Sequence, residues 1–333
     1  HTVRISILRK SFRYASIGLA ALAAFVFLNN TNLFSSRLSG KPTLLAHRGV
    51  AQRFVPSGVT NDTCTASRML PSNHDHLENT IPSMRASFEA GADIVELDVH
   101  PTTDGQFAVF HDWTLDCRTD GHGVTREHSM ADMKKLDVGY GYTADGGKTY
   151  PFRGKGVGMM PTLTEALETF PDRRLLINVK SDDPEEGTKL ATYLNGLSPE
   201  RQTMIMAYGG NQPIAVLRSA VPDMRTMSRA SLKECLLRYL GFGWTGVAPD
   251  ACHSTVIYVP INLAPWLWGW PGRFLDRMES IGTEVFVIGP YHGGDFSTGI
   301  DTDEDLERLP DGYSGGIMTN ELEQIGSWFR SRD

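Results

Sequence analysis

Short apolar runs alternate with stretches of helical period along most of this chain. The first run, Thr43-Leu44-Leu45-Ala46, reads as a buried strand that ends at His47-Arg48-Gly49. Further strand signals fall at Asp93–Val99, Gln106–Phe110, Leu175–Val179, Thr203–Ala207, Arg225–Met227, Thr245–Val247, Glu284–Ile288 and Gly315–Met318. Helical period fits Thr80–Ala90, Ser129–Leu136, Leu163–Phe170, Glu185–Leu194, Pro213–Ala220, Ser231–Tyr239, Gly272–Ile281 and Thr302–Leu309. In the first of these, Ile81, Met84 and Phe88 share a face and Gly91 supplies the stop. Such alternation predicts parallel strands with crossover helices, and about eight repeats favour a closed TIM-type (β/α)8 barrel over an open sheet.

Two segments break this rhythm. From Val50 to Leu77 the chain is polar and rich in Ser, Thr, Asn and Pro, too long for an ordinary connection and so a candidate functional loop. At the N-terminus, Arg4, Arg9, Lys10 and Arg13 precede an uncharged apolar run from Tyr14 to Leu28. That run is shorter than the roughly 20 residues a spanning helix needs, unless Phe12 and Asn29–Phe34 contribute. No small-x-small cleavage site follows it, so an uncleaved signal anchor is expected rather than a removed signal peptide. Its polar residues do not fall on one face, which weakens the reading as a buried amphipathic helix. Basic residues on its N-terminal side place that end in the cytoplasm and the rest of the chain on the periplasmic or extracellular side. The expected organisation is an anchor and linker over residues 1–40, the linker beginning near Ser35, and one barrel domain over residues 41–333.

Composition narrows the function. Of 333 residues, 41% are hydrophobic and 21% charged, enough apolar material for one large core with no bias toward disorder. A net charge of −7 argues against a nucleic-acid partner, because no broad basic excess is available to neutralise phosphates. A small anionic substrate would then need a local positive site. The four cysteines, Cys64, Cys117, Cys235 and Cys252, lack Cys-x-x-Cys spacing and so do not form a zinc motif. In an exported domain they would form disulfides, expected as Cys64 with Cys117 and Cys235 with Cys252; free buried thiols are the alternative.

Chemistry concentrates at the predicted strand ends. Strand side chains alternate, so Glu96 and Asp98 share one face and Val95, Leu97 and Val99 the other. Two carboxylates facing into a barrel repel, and a divalent cation with oxygen ligands, Mg²⁺, Ca²⁺ or Mn²⁺, would relieve them. Taken alone, a Glu-x-Asp pair at a solvated edge is the plainer explanation. The same parity sets Leu45 with His47, and Asn178 with Lys180; His111-Asp112 closes the Gln106–Phe110 run. If all strands are parallel, these groups gather at one mouth, where such barrels place their active sites. Single strand-end histidines are commonly structural, but two His, two acids, one Lys and one Arg at successive ends are seldom all so.

These segments resemble the glycerophosphodiester phosphodiesterase family. The resemblance is carried by Leu45-Ala46-His47-Arg48-Gly49, Glu78-Asn79-Thr80-Ile81, Gly91 to Val99, Thr103-Asp104-Gly105 and Val109-Phe110-His111-Asp112, then by Pro161 to Glu165, Asn178-Val179-Lys180 and Gly316 to Asn320. It spans about Thr43 to Glu323 and is strongest up to Lys180. It implies a TIM-type barrel that hydrolyses a glycerophosphodiester with a divalent cation. His47 and His111 take the positions of general acid and base, and Arg48 and Lys180 those expected to bind phosphate oxygens. Glu78 and Asn79 fall in a substrate-side segment whose role is positioning. Glu96 and Asp98 match metal ligands, and Asn178 stands where the family has a third acid, which implies weaker metal binding unless Asp182 folds back to compensate.

The loop at 50–77 is longer than the family's connection and is expected to act as a lid. His74, His76, His100 and His122 are expected on surface loops. Pro265-Trp266-Leu267-Trp268-Gly269-Trp270-Pro271-Gly272 would bind an acyl chain or dip into a bilayer interface if it lies at the mouth, packed loop structure being the alternative. A lysophospholipid or a soluble glycerophosphodiester is the expected substrate. The competing reading is a degenerate, membrane-tethered binding or assembly subunit, which Asn178 supports and the retained histidines and acids oppose.

Overall fold

The computed structural model describes residues 2–35, 40–293 and 298–330. Residues 36–39 of the expected linker lie outside that set. The described strands are β1 (Thr43–His47), β2 (Ile94–Pro101), β3 (Phe107–Val109), β4 (Arg174–Val179), β5 (Ile205–Gly209), β6 (Thr226–Ser228), β7 (Val256–Pro260), β8 (Glu284–Ile288) and β9 (Gly316–Thr319). The helices are α1 (Thr2–Asn30), α2 (Ile81–Glu89), α3 (Met130–Met133), α4 (Leu163–Thr169), α5 (Pro184–Asn195), α6 (Pro199–Thr203), α7 (Asn211–Ala220), α8 (Arg229–Phe242), α9 (Gly272–Ser280), α10 (Asp303–Glu307) and α11 (Leu322–Arg330).

Strands pair in the order β6-β5-β4-β2-β1-β9-β8-β7, all parallel along this path. A parallel bridge between Thr226 and Thr255, reinforced by the Thr255 hydroxyl donating to the Thr226 carbonyl, brings the two ends of the path together. The result is a nearly closed (β/α)8 barrel of the TIM type, as the alternation predicts. Its interior is layered. Leu45, Ile94, Leu176, Met206, Val256, Phe286 and Met318 fill the lower layers, and Val95, Leu97, Leu175 and Ile177 face outward onto α2, α4, α5 and α7. The apolar lower fill separates two polar regions, the cluster at the strands' C-terminal ends and the Arg174–Glu284 pair at the opposite end of the barrel.

Two strand expectations are corrected. Gln106–Phe110 contributes β3, but it pairs antiparallel with β2, Val109 opposite Val99, and is not a barrel strand. The tight turn at Thr103-Asp104-Gly105 sends the chain straight back, with Gly105 at φ +78°. Thr245–Val247 forms no strand: Gly243–Thr245 is a 3-10 turn and Gly246 takes φ +87°. The sixth barrel strand is instead the run Val256–Pro260. The helix expected over Ser129–Leu136 makes only one α-turn, because Lys135 and Leu136 donate three residues back and tighten the chain.

Both expected disulfides are present, Cys64–Cys117 and Cys235–Cys252. The stretch Lys10–Asn30 of α1 is long and apolar enough to cross a membrane, and none of it is buried in the protein. Its last turn is fastened to the barrel. Arg277, 8% exposed on α9, donates to the Asn29 carbonyl (2.5 Å) and Asn30 Oδ1 (3.1 Å) while also reaching Tyr239 Oη and the Gly243 carbonyl. Asn32 Oδ1 accepts from the backbone N–H of Gly272 and Arg273. A cation on orphan C-terminal carbonyls ends the helix favourably and ties it to one place. We expect Arg277→Met to destabilise the barrel by about 3 kcal/mol, since it strands buried acceptors. Thermal unfolding would register the loss, and limited proteolysis should cut near residue 31 faster than in the unmodified chain.

Candidate active site

The polar groups predicted from strand parity meet at one mouth. Glu96 and Asp98 point inward from β2, both fully buried. Asp98 sits opposite Asn178 in the β2–β4 register, and His47 opposite Glu96 in the β1–β2 register. His111 arrives differently from the expectation. Because β3 runs antiparallel, Phe110 donates its N–H to the Asp98 carbonyl and the chain descends into the mouth instead of rising to it.

Hydrogen bonds bind the cluster tightly. Asp98 accepts from Asn178 Nδ2 at Oδ1 (2.8 Å) and from Asn79 Nδ2 at Oδ2 (2.9 Å). Its cations are Arg48 Nε at 3.3 Å and Lys180 Nζ at 3.6 Å. Glu96 takes the Tyr208 hydroxyl at Oε1 (2.8 Å) and the Arg48 N–H at Oε2 (3.1 Å), with His47 Nε2 3.9 Å away. Glu78 bridges Arg48 (3.2 Å) and Arg118 (3.3 Å). Arg118 Nε then lies 3.0 Å from Asp112, whose other oxygen is 2.7 Å from His111 Nδ1. Two of these residues hold a left-handed backbone without being glycine, Arg48 at φ +63° and Asn79 at φ +58°. Such strain persists only where the surroundings demand it. After Arg48, Gly49 at φ +80° passes so close to Ser83 that a Cβ would collide with its hydroxyl.

Electrostatics divide the two acids. Burial raises the cost of charge at both, but Lys180 and Arg48 outweigh it at Asp98 and hold that carboxylate well below its usual range. Glu96 is pushed up, first by burial and then by Asp98. The pair behaves as one firm anion beside one carboxyl in need of a cation. Burial lowers His47 to about 4, with Arg48 adding to the effect, and lowers His111 well below its ordinary value, so both rings are neutral at neutral pH.

Glu96, Asp98 and Asn178 bring oxygen donors of the hard kind to one patch, and Glu96 lacks a cation partner. That chemistry fits Mg²⁺, Ca²⁺ or Mn²⁺. As the side chains lie, Asn178 turns its nitrogen toward Asp98, and no three His, Cys, Asp or Glu groups converge among the described residues. Asp182 does not join them: its exposed carboxylate accepts the Gln212 N–H at the start of α7.

The long polar segment walls a cavity of about 270 Å³. His47, Arg48 and His111 form its floor, with Arg53, Phe54 and Thr63 on the inserted side and Asn320 and Glu321 opposite. Cys64–Cys117 and the Arg118 bond to the Thr65 hydroxyl (2.6 Å) fasten this wall to the loop beyond His111. Of the three tryptophans after β7, Trp266 is exposed, whereas Trp268 donates to the Leu240 carbonyl and Trp270 stacks on Phe274 and Tyr313.

Three comparisons agree on what this arrangement is. The model of the Glycerophosphoryl diester phosphodiesterase family matches residues 47–235. A glycerophosphodiester phosphodiesterase of Bacillus subtilis is 39% identical over 260 residues, which cover 73% of this chain and 78% of the relative. The chain belongs to the glycerophosphoryl diester phosphodiesterase family. It is thus a phosphoric diester hydrolase. A lysophospholipase D of Homo sapiens is 25% identical, with 69% of each chain covered. In fold, the chain is similar to the glycerophosphoryl diester phosphodiesterase domain of protein Rv2277c from Mycobacterium tuberculosis, with TM-score 0.61, 17% identity, 87% of this chain and 99% of that one covered.

Some site residues were not anticipated from sequence. His100, expected on a surface loop, is fully buried on the extension of β2, where Nε2 lies 3.3 Å from the His111 carbonyl. Its parity with Glu96 and Asp98 was the available signal. His122 is exposed as expected, and His74 and His76 are only partly so. Tyr208 falls one residue past the strand end drawn at Ala207. Arg118 carried no signal: it lies in an irregular loop, and of its partners Asp112 is near but Glu78 and Thr65 are far off in sequence.

Acid should destabilise this site. His100 is lowered to about 4 by burial, as His47 is, whereas unfolded histidines titrate near 6.5. At each buried histidine the unfolded chain binds more protons than the folded one below about pH 6.5, so their contribution to stability is lost as pH drops toward 4. Glu96, whose buried carboxyl is pushed up, works the other way, and the three histidines His47, His100 and His111 outweigh it. The slope is roughly 1.4 kcal/mol per pH unit for each such histidine. Melting temperatures between pH 7 and 4.5 should decline steadily, and His100→Gln should flatten the decline; a pH-independent melting temperature would contradict it.

Proposed function

We propose that the chain hydrolyses a glycerophosphodiester, free or carried by a lysophospholipid, with His47 and His111 exchanging the protons. The observation that supports this most is the convergence of two neutral-capable imidazoles, one acid pair and the cations Arg48 and Lys180 on one barrel mouth. Phosphodiester cleavage needs negative charge held on the equatorial oxygens, a proton removed from the nucleophile and a proton delivered to the leaving alkoxide. Arg48 and Lys180 bind the phosphate oxygens. Glu78 and Asn79 position Arg48 and Asp98. One histidine, neutral, accepts the nucleophile's proton; the other first takes up a proton beside the bound anionic phosphate and then delivers it to the departing alcohol, giving a glycerol phosphate or lysophosphatidate-type product. Glu96, Asp98 and Asn178 would hold a divalent cation, which when bound adds a charge against the phosphate.

The N-terminal helix supports a membrane-anchored enzyme with its barrel on the non-cytoplasmic side, as do two disulfides, which persist in oxidising compartments. The degenerate-subunit reading has Asn178 alone in its favour.

Turnover should be measured on glycerophosphocholine, glycerophosphoethanolamine and a lysophospholipid, with and without chelator. His47→Ala and His111→Ala should each reduce kcat by about 10²- to 10⁴-fold. Chelation should abolish activity, and Asn178→Asp should lower the metal concentration for half-maximal rate by about tenfold through the added charge. Full activity in chelator would remove the cation from the reading. No turnover of any of these substrates under several metals would favour the binding subunit.

A further inference from the structure

His47 has a partner whose orientation is dictated from behind. Asn320, just past β9, places Oδ1 2.8 Å from His47 Nδ1. Its other end meets Asp301: Asn320 Nδ2 lies 2.8 Å from Asp301 Oδ2, and its backbone N–H 2.7 Å from Oδ1. The Thr319 hydroxyl adds a third donor to the same carboxylate at 3.1 Å. A carboxylate surrounded by N–H and O–H donors accepts only, so the nitrogen end of the Asn320 amide faces Asp301 and the oxygen end faces His47. An amide oxygen has no proton to give. His47 therefore carries its hydrogen on Nδ1 and turns the bare Nε2 toward Glu96 and the mouth.

We propose that Asn320, held by Asp301, is a positioning residue that sets the tautomer and aim of His47. The contrast with His111 supports a dedicated role, since that ring is held through the same nitrogen by a carboxylate, Asp112, at 2.7 Å. His47 is thereby offered as a proton acceptor at Nε2 with an amide, and not a carboxylate, against its Nδ1. Asp301, before α10, and Asn320, after β9, also line the cavity, so the pair that orients His47 helps to shape the site.

The kinetic arm of the test rests on the phosphodiesterase reading; the spectroscopic arm does not. Full-length protein labelled with ¹⁵N-histidine in detergent micelles, observed at pH 8 by long-range proton–nitrogen correlation, should show His47 as the Nδ1–H tautomer, its signals assigned by their loss in His47→Gln. Asn320→Leu should shift His47 toward Nε2–H and cut kcat by about 30- to 100-fold with KM changed less than about threefold. The double variant Asp301→Asn with Asn320→Asp re-creates acceptor and donor with their order kept, and should recover at least about tenfold of that loss. A purely structural role would not produce a tautomer change or this rescue. An Nε2–H tautomer in the unmodified protein, or a folded Asn320→Leu retaining kcat within about threefold, overturns the proposal. If Asn320→Leu fails to fold by circular dichroism, the tautomer of the unmodified protein and the double variant decide. An Nδ1–H His47 in a chain without turnover upholds the positioning and removes the catalytic reading.

Discussion

Two carboxylates, buried without exposure on alternate positions of one strand, are the constraint around which this molecule is arranged. Isolated in an apolar barrel, Glu96 and Asp98 could not both be charged. Asp98 is made ionic by Arg48, Lys180 and two amide donors, drawn from three segments: the turn after β1, the residue before α2's cap and the end of β4. The left-handed backbones at Arg48 and Asn79 follow from that demand, because only those turns bring the guanidinium and the amide onto the carboxylate. Glu96 receives a hydroxyl and a backbone N–H, and among the described residues no arginine or lysine pairs with it directly.

The barrel converts this local demand into a site. Layers of Leu, Ile, Met, Val and Phe separate the charged groups at the strands' C-terminal ends, which look into a cavity, from the Arg174–Glu284 pair at the other end. Phosphate chemistry benefits twice: charges in a water-poor floor act more strongly on a substrate, and donors already fixed need no rearrangement. The same burial keeps His47 and His111 neutral.

Around that centre the chain's individual additions are fastened to the barrel, the inserted wall at the site and the N-terminal helix away from it. The inserted 50–77 wall is clasped by a disulfide and by Arg118, which in turn steadies Asp112 and His111. The apolar N-terminal helix ends on Arg277 and on the start of α9, which follows β7 on the mouth side of the barrel. Of the three tryptophans after β7, Trp266 is the exposed one.

Parity and periodicity made much of this legible in advance. The inward pairing of Glu96 and Asp98, the strand-end places of His47, Asn178 and Lys180, and the alternation that closes into a barrel depend on neighbours in sequence, whose geometry is fixed by the backbone. His100 obeyed the same parity and was misplaced only because β2 was drawn too short. Strand direction is different. The run before His111 has the composition of any buried strand, and only its pairing with β2 showed that it runs antiparallel. The contacts that orient the chemistry are likewise tertiary: Tyr208 reaches Glu96 across 112 residues and Asn320 reaches His47 across 273. The sequence by itself determined which residue types were available and which faces they occupied. The tertiary structure decided which of them meet, because long-range contacts arise from barrel closure and loop return, and neither leaves a periodic trace along the chain.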